Sequence, residues 1–173
     1  MLFQIKKMSS GQLCKNDFQR YSIAKNIEEA LNQYPFQTNN HGISERQLIS
    51  IIKNQDFEYV GDQILTNHIL FNLVKNAIHA IKSFGKGKII IRLENEEVFN
   101  KLIFEDTASG ISKDFLPRVF DQFACQTSSQ GGTGIGLSFC KMVMQSYDGD
   151  ITCDSQEGKY TRFVLSFPSQ KPL

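Results

Sequence analysis

The stretch from Asp62 to Ser83 constrains the fold more than any other part of the sequence. Its apolar residues recur at helical spacing and form one stripe, made of Ile64, Phe71, Val74, Ile78 and Ile81. Gly85 and Gly87 follow directly, and a glycine just after a helix commonly ends it. The pattern predicts a long amphipathic helix, which must bury its apolar face against another layer of structure.

Strand-like runs lie on both sides of this helix. Each is short and rich in apolar, β-branched or aromatic residues, and the predicted strands are Leu48–Ile52, Phe57–Val60, Lys88–Leu93, Val98–Glu105, Asp150–Asp154 and Tyr160–Phe167. A short polar segment at residues 94–96 connects the third and fourth predicted strands, and another at residues 156–158 connects the fifth and sixth. We therefore expect two antiparallel hairpins.

Two further segments have helical spacing. One runs from Asp17 to Tyr34 and stops at Pro35, and the other runs from Gly134 to Tyr147 before an Asp-Gly pair. Helices interspersed with hairpin strands predict an α+β layer, in which one mixed sheet is covered by helices.

Composition narrows the class of protein. The chain has 173 residues and a formal net charge of +1, which fits one domain and argues against an electrostatic nucleic-acid partner. Its four cysteines form no CxxC pair, so we expect neither a zinc site nor a disulfide framework: Cys14, Cys125, Cys140 and Cys153. No run approaches the roughly 20 apolar residues that cross a bilayer, so we expect a soluble, cytoplasmic chain.

Polar side chains recur along one face of the long predicted helix. Asn72 and Asn76 are one turn apart, and His79 follows about one turn later. Amide oxygens suit a hard cation such as Mg²⁺, which prefers oxygen ligands and leaves positions for water and phosphate. A solvated polar face without a ligand is the alternative, and the helix alone does not separate the two.

Two loops could carry ligand chemistry. Asp106 ends an apolar strand before Gly110, where its carboxylate could accept hydrogen bonds from an exocyclic amine of adenine or simply form a turn. Residues 131–136 are glycine-rich and precede a helix, so their N–H groups could bind phosphate or form a flexible turn.

Residues 124–130 are small and uncharged, which favours a mobile lid. Phe120 and Phe123 are expected to anchor it in the core.

Taken in order, these features resemble the catalytic ATP-binding domain of sensor histidine kinases, in the wider group that includes the gyrase, heat-shock-90 and mismatch-repair ATPases. Residues 72–77 resemble its N box, 106–111 its first glycine box, 120–123 its F box and 132–137 its second glycine box. Residues 60–62 and 158–163 are also similar to the family, and the resemblance covers about residues 43–168.

The resemblance implies a fold and a ligand set. The fold is an α/β (α+β) two-layer sandwich of the Bergerat type, with a mixed, mostly antiparallel sheet covered by three helices on one face. The ligands are ATP and Mg²⁺, with Asn76 as the principal metal ligand supported by Asn72. The nucleotide-binding residues are Asn72, Asn76, His79, Asp106, Gly110, Ile111, Gly132, Thr133, Gly134, Ile135, Gly136, Leu137 and Thr161.

Within that set, the resemblance assigns individual roles. Asp106 would bind the adenine amino group, Gly110 would let the base approach, and Thr161 would bond near the same end. The glycines of residues 132–136 would shape the phosphate loop, with His79 near the phosphates. Ala108 departs from the family pattern, which usually has glycine there, and residues 122–130 lack the basic residues that are common in the family.

The implied activity is phosphotransfer from ATP to a histidine on a separate dimerisation domain. None of His41, His68 and His79 has the sequence context of an acceptor, so the acceptor is expected elsewhere, and no catalytic residue is assigned here. A nucleotide-switched regulatory module of the anti-sigma type stays open. A gyrase-type ATPase is disfavoured, because Asn72 stands where that class has a glutamate base.

The resemblance also implies a larger protein. Residues 1–25 are expected to be an N-terminal segment that ends a dimerisation helix, and residues 26–173 the catalytic ATP-binding domain. The fragment is expected to be monomeric, and its other partner is a response regulator or receiver domain. The full-length protein would be an inner-membrane receptor with this domain in the cytoplasm. Details at residues 34–36 and 106–108 hint at quorum-sensing hybrid kinases.

Overall fold

The computed structural model describes residues 17–39, 42–52, 55–124 and 134–169. The strands are β1 (Gln19–Ser22), β2 (Ile49–Ile52), β3 (Glu58–Gly61), β4 (Ile89–Glu94), β5 (Phe99–Asp106), β6 (Asp150–Gln156) and β7 (Tyr160–Pro168). The helices are α1 (Ile23–Gln33), α2 (Gln63–Phe84) and α3 (Gly136–Ser146). Single 3₁₀ turns lie at Glu45–Leu48 and Leu116–Arg118.

The main sheet has five strands in the order β2-β4-β5-β7-β6. Strand β2 runs parallel to β4, and every other neighbouring pair is antiparallel. Strands β1 and β3 form a separate two-stranded antiparallel sheet. The structure therefore confirms the mixed, mostly antiparallel sheet and both hairpins.

One apolar core joins the sheet to the three helices that the described residues form. The inner face of the sheet contributes every second residue of its strands, including Ile89, Ile91, Leu93, Leu102, Phe104, Ile151, Phe163, Leu165 and Phe167, all of them buried. Arg92, Glu105 and Arg162 lie on the opposite face, where the Glu105 carboxylate pairs with both guanidinium groups. The predicted two-layer sandwich is confirmed.

The expected long helix is confirmed as α2, but its buried face differs from the predicted stripe. The Asp62 carboxylate caps its first turn by accepting from Leu65 N–H at 3.0 Å, and Gly85 ends it in the left-handed conformation with φ +82°. The buried residues are Leu65, Thr66, Ile69, Leu70, Leu73, Val74, Ala77, Ile78 and Ile81. Ile64 is 55 % exposed, because the buried face centres on the series that begins one residue later.

The predicted helix over residues 17–34 is only partly right. Gln19–Ser22 is a strand, and the helix begins at Ile23. Two acceptors fix that start: Ser22 Oγ accepts from Lys25 N–H at 3.1 Å, and the Asp56 carboxylate accepts from Ala24 N–H at 3.0 Å. Pairing of β1 with β3 outweighs the local helical spacing, a tertiary effect that spacing alone does not reveal.

The structure describes only part of the expected N-terminal segment, residues 1–25. Residues 1–16 lie outside the described residues, so their assignment to a dimerisation helix stays a prediction. From residue 17 onward the chain is built into the sandwich, since β1 pairs with β3 and the rings of Phe18 and Tyr147 meet edge to face at 5.2 Å. The expected boundary after residue 25 falls inside α1.

The expectations drawn from composition concern cysteines and membrane spans. Cys140 and Cys153 carry free thiols, while Cys14 and Cys125 lie outside the described residues. Among the helices of the described ranges, none combines the length and the apolar character needed to cross a membrane.

Candidate functional site

Asp106 is the acidic group at the inner end of β5. Alternation along the strand places Leu102, Phe104 and Asp106 on the core side, and Asp106 is only 3 % exposed. It lies between two strands, opposite Ile89 of β4 and Thr161 of β7, and Thr161 is also buried. Its Oδ1 accepts a hydrogen bond from Ala108 N–H at 3.1 Å. The structure thus brings two predicted adenine-binding residues together.

Burial controls the protonation of Asp106. Desolvation raises the pKa of its carboxyl group to about 6, the Ala108 N–H bond opposes this rise, and the negative charge of Glu105 adds to it. The neutral form is therefore favoured by folding. This group stabilises the fold at low pH, and that contribution is lost as the pH rises from about 4 through about 6.

We expect a bound adenine nucleotide to lower the pKa of Asp106. Amine donors favour the charged carboxylate, so the midpoint near 6 should move down when ADP is added. The measurement is the ¹³C shift of the Asp106 carboxyl carbon against pH, with Asp106→Asn used to identify the resonance. A midpoint near 4 in the free protein, or one that ADP leaves in place, would contradict this expectation.

The loop after Asp106 is fixed by close backbone contacts. Ala108 is fully buried, so its methyl group, which departs from the family pattern, is accommodated in the core. Gly110 has φ +65°, and a Cβ added there would lie 2.2 Å from the Gln156 carbonyl oxygen. The described structure therefore gives glycine a packing reason at position 110, besides the expected approach of a base.

Ser155 is a site residue that sequence reasoning missed. It lies on β6 opposite Thr161, and its Oγ accepts from Ile111 N–H at 2.8 Å. The only available signal was strand alternation, which places Ser155 on the same face as the buried Ile151.

Asn72 lies at the junction of α2 and α3. It is half-buried, and a Cβ added to Gly136 would lie 3.0 Å from its Oδ1. The fully buried thiol of Cys140 on α3 lies close to Asn72; burial raises the pKa of this thiol to about 12, and Asn72 opposes the rise. Asn72 therefore joins the N box to the start of α3, whereas Asn76 and His79 are exposed on α2.

The two F-box phenylalanines behave differently. The ring of Phe120 packs edge to face against Phe163 at 6.3 Å, with Lys141 Nζ 5.4 Å from its centroid, so the predicted core anchor is confirmed there. Phe123 is 72 % exposed with φ +63°, so the same prediction is wrong for it. Its backbone is held because its N–H donates to the Gly134 carbonyl at 3.0 Å.

The second glycine box is described from Gly134 onward. Gly134 has φ +64°, and a Cβ there would lie 2.5 Å from the Phe123 carbonyl carbon. Ile135 and Leu137 are half-buried around the first turn of α3. Gly132, Thr133 and residues 125–131, which include most of the expected lid, lie outside the described residues.

The fold and this arrangement of boxes define a class of nucleotide-binding proteins. Residues 61–171 match the family model described as "Histidine kinase-, DNA gyrase B-, and HSP90-like ATPase". The chain belongs to that family.

Its relatives are sensor kinases. The chain is 37 % identical over 147 residues to the autoinducer 1 sensor kinase/phosphatase LuxN of Vibrio campbellii, a match covering 85 % of this chain and 17 % of LuxN. It is 32 % identical over 151 residues to the CAI-1 autoinducer sensor kinase/phosphatase CqsS of Vibrio cholerae, covering 87 % of this chain and 21 % of CqsS. The chain thus spans about a fifth of the length of these curated relatives.

The fold is also that of a solved histidine kinase domain. The nucleotide-free catalytic domain of histidine kinase ThkA superposes with a TM-score of 0.69 at 22 % identity, covering 88 % of this chain and 96 % of that domain. This likeness confirms the expected fold, including its three helices over a mixed sheet.

Proposed function

We propose that this chain binds Mg-ATP and donates the γ-phosphoryl group to a histidine on a dimerisation domain outside the chain. The observation that carries the proposal is the buried carboxylate of Asp106 beside Thr161, at the end of the inner sheet face. It stands in a chain homologous to sensor kinases.

Asp106 supplies the choice of base. A carboxylate accepts hydrogen bonds, and the amino group of adenine donates them, whereas guanine presents a carbonyl oxygen at that position. Because the group is buried, a base that leaves it unpaired is rejected strongly. Thr161 adds a hydroxyl on the neighbouring strand, opposite Asp106 in register.

The residues of α2 fit a magnesium ion that arrives with ATP. Asn76 presents an exposed amide oxygen one turn from Asn72, and Mg²⁺ takes few protein ligands when phosphate and water supply the rest. When bound, Mg²⁺ neutralises phosphate charge and orients the terminal phosphoryl group. Asn76 holds it in this proposal, and Asn72 supports the site from the α2–α3 junction.

In this proposal the phosphates are bound mainly by backbone N–H groups, since residues 122–130 carry no Lys or Arg. Helix α3 starts at Gly136, and the N–H groups in the first turn of a helix favour an anion. Residues 132–137 form the phosphate loop in this proposal, and His79 and Lys75 are the nearby basic candidates on α2. Transfer then depends on positioning and charge neutralisation and needs no covalent step within this domain.

Two observations favour transfer to another domain over hydrolysis by this chain. The Asn72 amide cannot act as a general base, and its side chain lies against Gly136 at the start of α3. His68 is half-buried between the rings of Phe71 and Phe139, and this packing restricts the access that a phosphoacceptor would need.

The setting of the domain is part of the proposal. Its partners are the dimerisation and phosphoacceptor domain of the same protein and a response regulator or receiver domain. The names of LuxN and CqsS support a quorum-sensing hybrid kinase, an inner-membrane receptor with this domain in the cytoplasm.

An ATP titration with and without Mg²⁺ tests the binding step. We expect Asn76→Ala to weaken ATP binding about tenfold in Mg²⁺ buffer and by less than about twofold in EDTA, because only the metal-dependent part is lost. Calorimetry measures both. Alanine is a better helix former than asparagine, so the melting temperature should not fall. Ser83→Ala, another exposed position on α2, is the matched control. Equal losses in both buffers would reject Asn76 as the metal ligand.

A phosphotransfer assay tests the reaction itself. The chain is mixed with labelled ATP and a purified dimerisation domain, and phosphohistidine is measured. Labelled acceptor supports the proposal. Nucleotide binding without any transfer would instead favour the nucleotide-switched regulatory module.

A further inference from the structure

Ser155 fastens the loop after Asp106 to the edge of the sheet. Its Oγ accepts from Ile111 N–H at 2.8 Å and donates to the Tyr160 carbonyl at 2.6 Å. The same oxygen lies 3.5 Å from Thr161 Oγ1. A hydroxyl can accept and donate at once, so this single side chain pairs both the Ile111 N–H group and the Tyr160 carbonyl group.

The bond from Ile111 is one of two that flank Gly110. On the other side, Gly158 N–H donates to the Ser109 carbonyl at 2.6 Å. Between them Gly110 lies against the backbone of Gln156, leaving no room for a side chain. Residues 109–111 are therefore held against the β6–β7 hairpin at three successive positions.

Ser155 also lies in register with Asp106, the proposed base-reading group, across the sheet. It stands opposite Thr161 on β7, and Thr161 stands opposite Asp106 on β5. The loop that starts at Asp106 is thus tied back to the strand two places away. Asp106 itself is bonded to this loop through Ala108 N–H.

We propose that Ser155 is a positioning residue for the nucleotide base. Through its hydrogen bond to Ile111 N–H, it keeps residues 107–111 in the conformation that allows Asp106 and Thr161 to contact adenine. This inference rests on the proposed ATP-binding function and deepens it, because it assigns the shape of the base site to an edge-strand hydroxyl.

The test compares Ser155→Ala with Ser155→Thr, which keeps the hydroxyl. We expect Ser155→Ala to weaken ADP binding roughly three- to tenfold, the loss of one hydrogen bond, and Ser155→Thr to restore it to within about twofold. Hydrogen exchange at the Ile111 amide, followed by NMR, should accelerate in Ser155→Ala and return in Ser155→Thr. Thr152→Ala removes an exposed hydroxyl from the same strand and should change neither quantity.

The outcomes separate this inference from the proposed function. If the wild-type chain binds ADP and Asp106→Asn does not, but Ser155→Ala binds normally, the positioning role is wrong and the function stands. Unchanged exchange at Ile111 would also overturn the role. If the wild-type chain binds no ADP, both proposals fail. Hydrogen exchange also separates a local effect from a general loss of stability. Local release of the loop accelerates exchange at the Ile111 amide alone, whereas a general loss of stability accelerates exchange at amides throughout the core.

Discussion

Asp106→Asn should remove ATP binding that calorimetry can detect, a loss of at least about 100-fold, equivalent to about 3 kcal/mol. Asparagine keeps one acceptor oxygen but loses the charge that strengthens the bond. Its amide also places a donor where the adenine amino group needs an acceptor, and a mismatched buried polar pair is costly.

The same substitution should leave the fold intact. Burial raises the pKa of Asp106 to about 6, so at pH 7 the folded protein holds an unfavourable charge that asparagine removes. The melting temperature should therefore be unchanged or higher. Asp114→Asn, at an exposed carboxylate outside the candidate site, is the control and should bind ATP normally. An unaltered ATP affinity in Asp106→Asn would reject its role as the base-reading group.

Gly110→Ala should have the largest effect on stability. The new Cβ would lie 2.2 Å from the Gln156 carbonyl oxygen and 2.7 Å from its carbon, and φ is +65°. Left-handed strain and overpacking together cost roughly 2–5 kcal/mol, which lowers the melting temperature of a domain this size by roughly 5–15 °C. ATP affinity should also fall at least about tenfold, because the loop that follows Asp106 must move.

Gly158→Ala separates the two causes of that loss. Gly158 also has a positive φ, +77°, but no heavy atom of the described residues beyond its chain neighbours lies within 4 Å of an added Cβ. It should therefore cost only about 1–2 kcal/mol of backbone strain. Thermal unfolding of the two variants measures the difference. If both melt at the same temperature, the close contact with Gln156 does not matter.

Much of this architecture could be predicted because its signals are local. Short runs rich in apolar residues predicted both hairpins, and helical spacing that ends before Gly85 predicted α2. The order of the sequence boxes indicated the nucleotide site. The resemblance placed Asp106 and Thr161 at the same end of that site, and the pairing of their strands brings them together.

The failures have a common physical origin, which is contact between distant parts of the chain. Gln19–Ser22 has helical spacing but pairs with β3, about 40 positions away. Ser155 resembles any polar strand residue until the fold places Ile111 against it. Phe123 is apolar yet exposed, because its backbone conformation is set by Gly134. Local patterns carry no information about such partners.

The hydrogen bond between Phe123 and Gly134 bears on how this protein can change in evolution and engineering. The two ends of the intervening segment meet each other, and Phe120 and α3 hold each end to the core. The entropy of closing a loop grows only logarithmically, by about 0.6 kcal/mol for each doubling of length. Changes of length between these two residues should therefore leave the sandwich folded, whereas they would disturb the phosphate loop that residues 132–137 form in the proposed function.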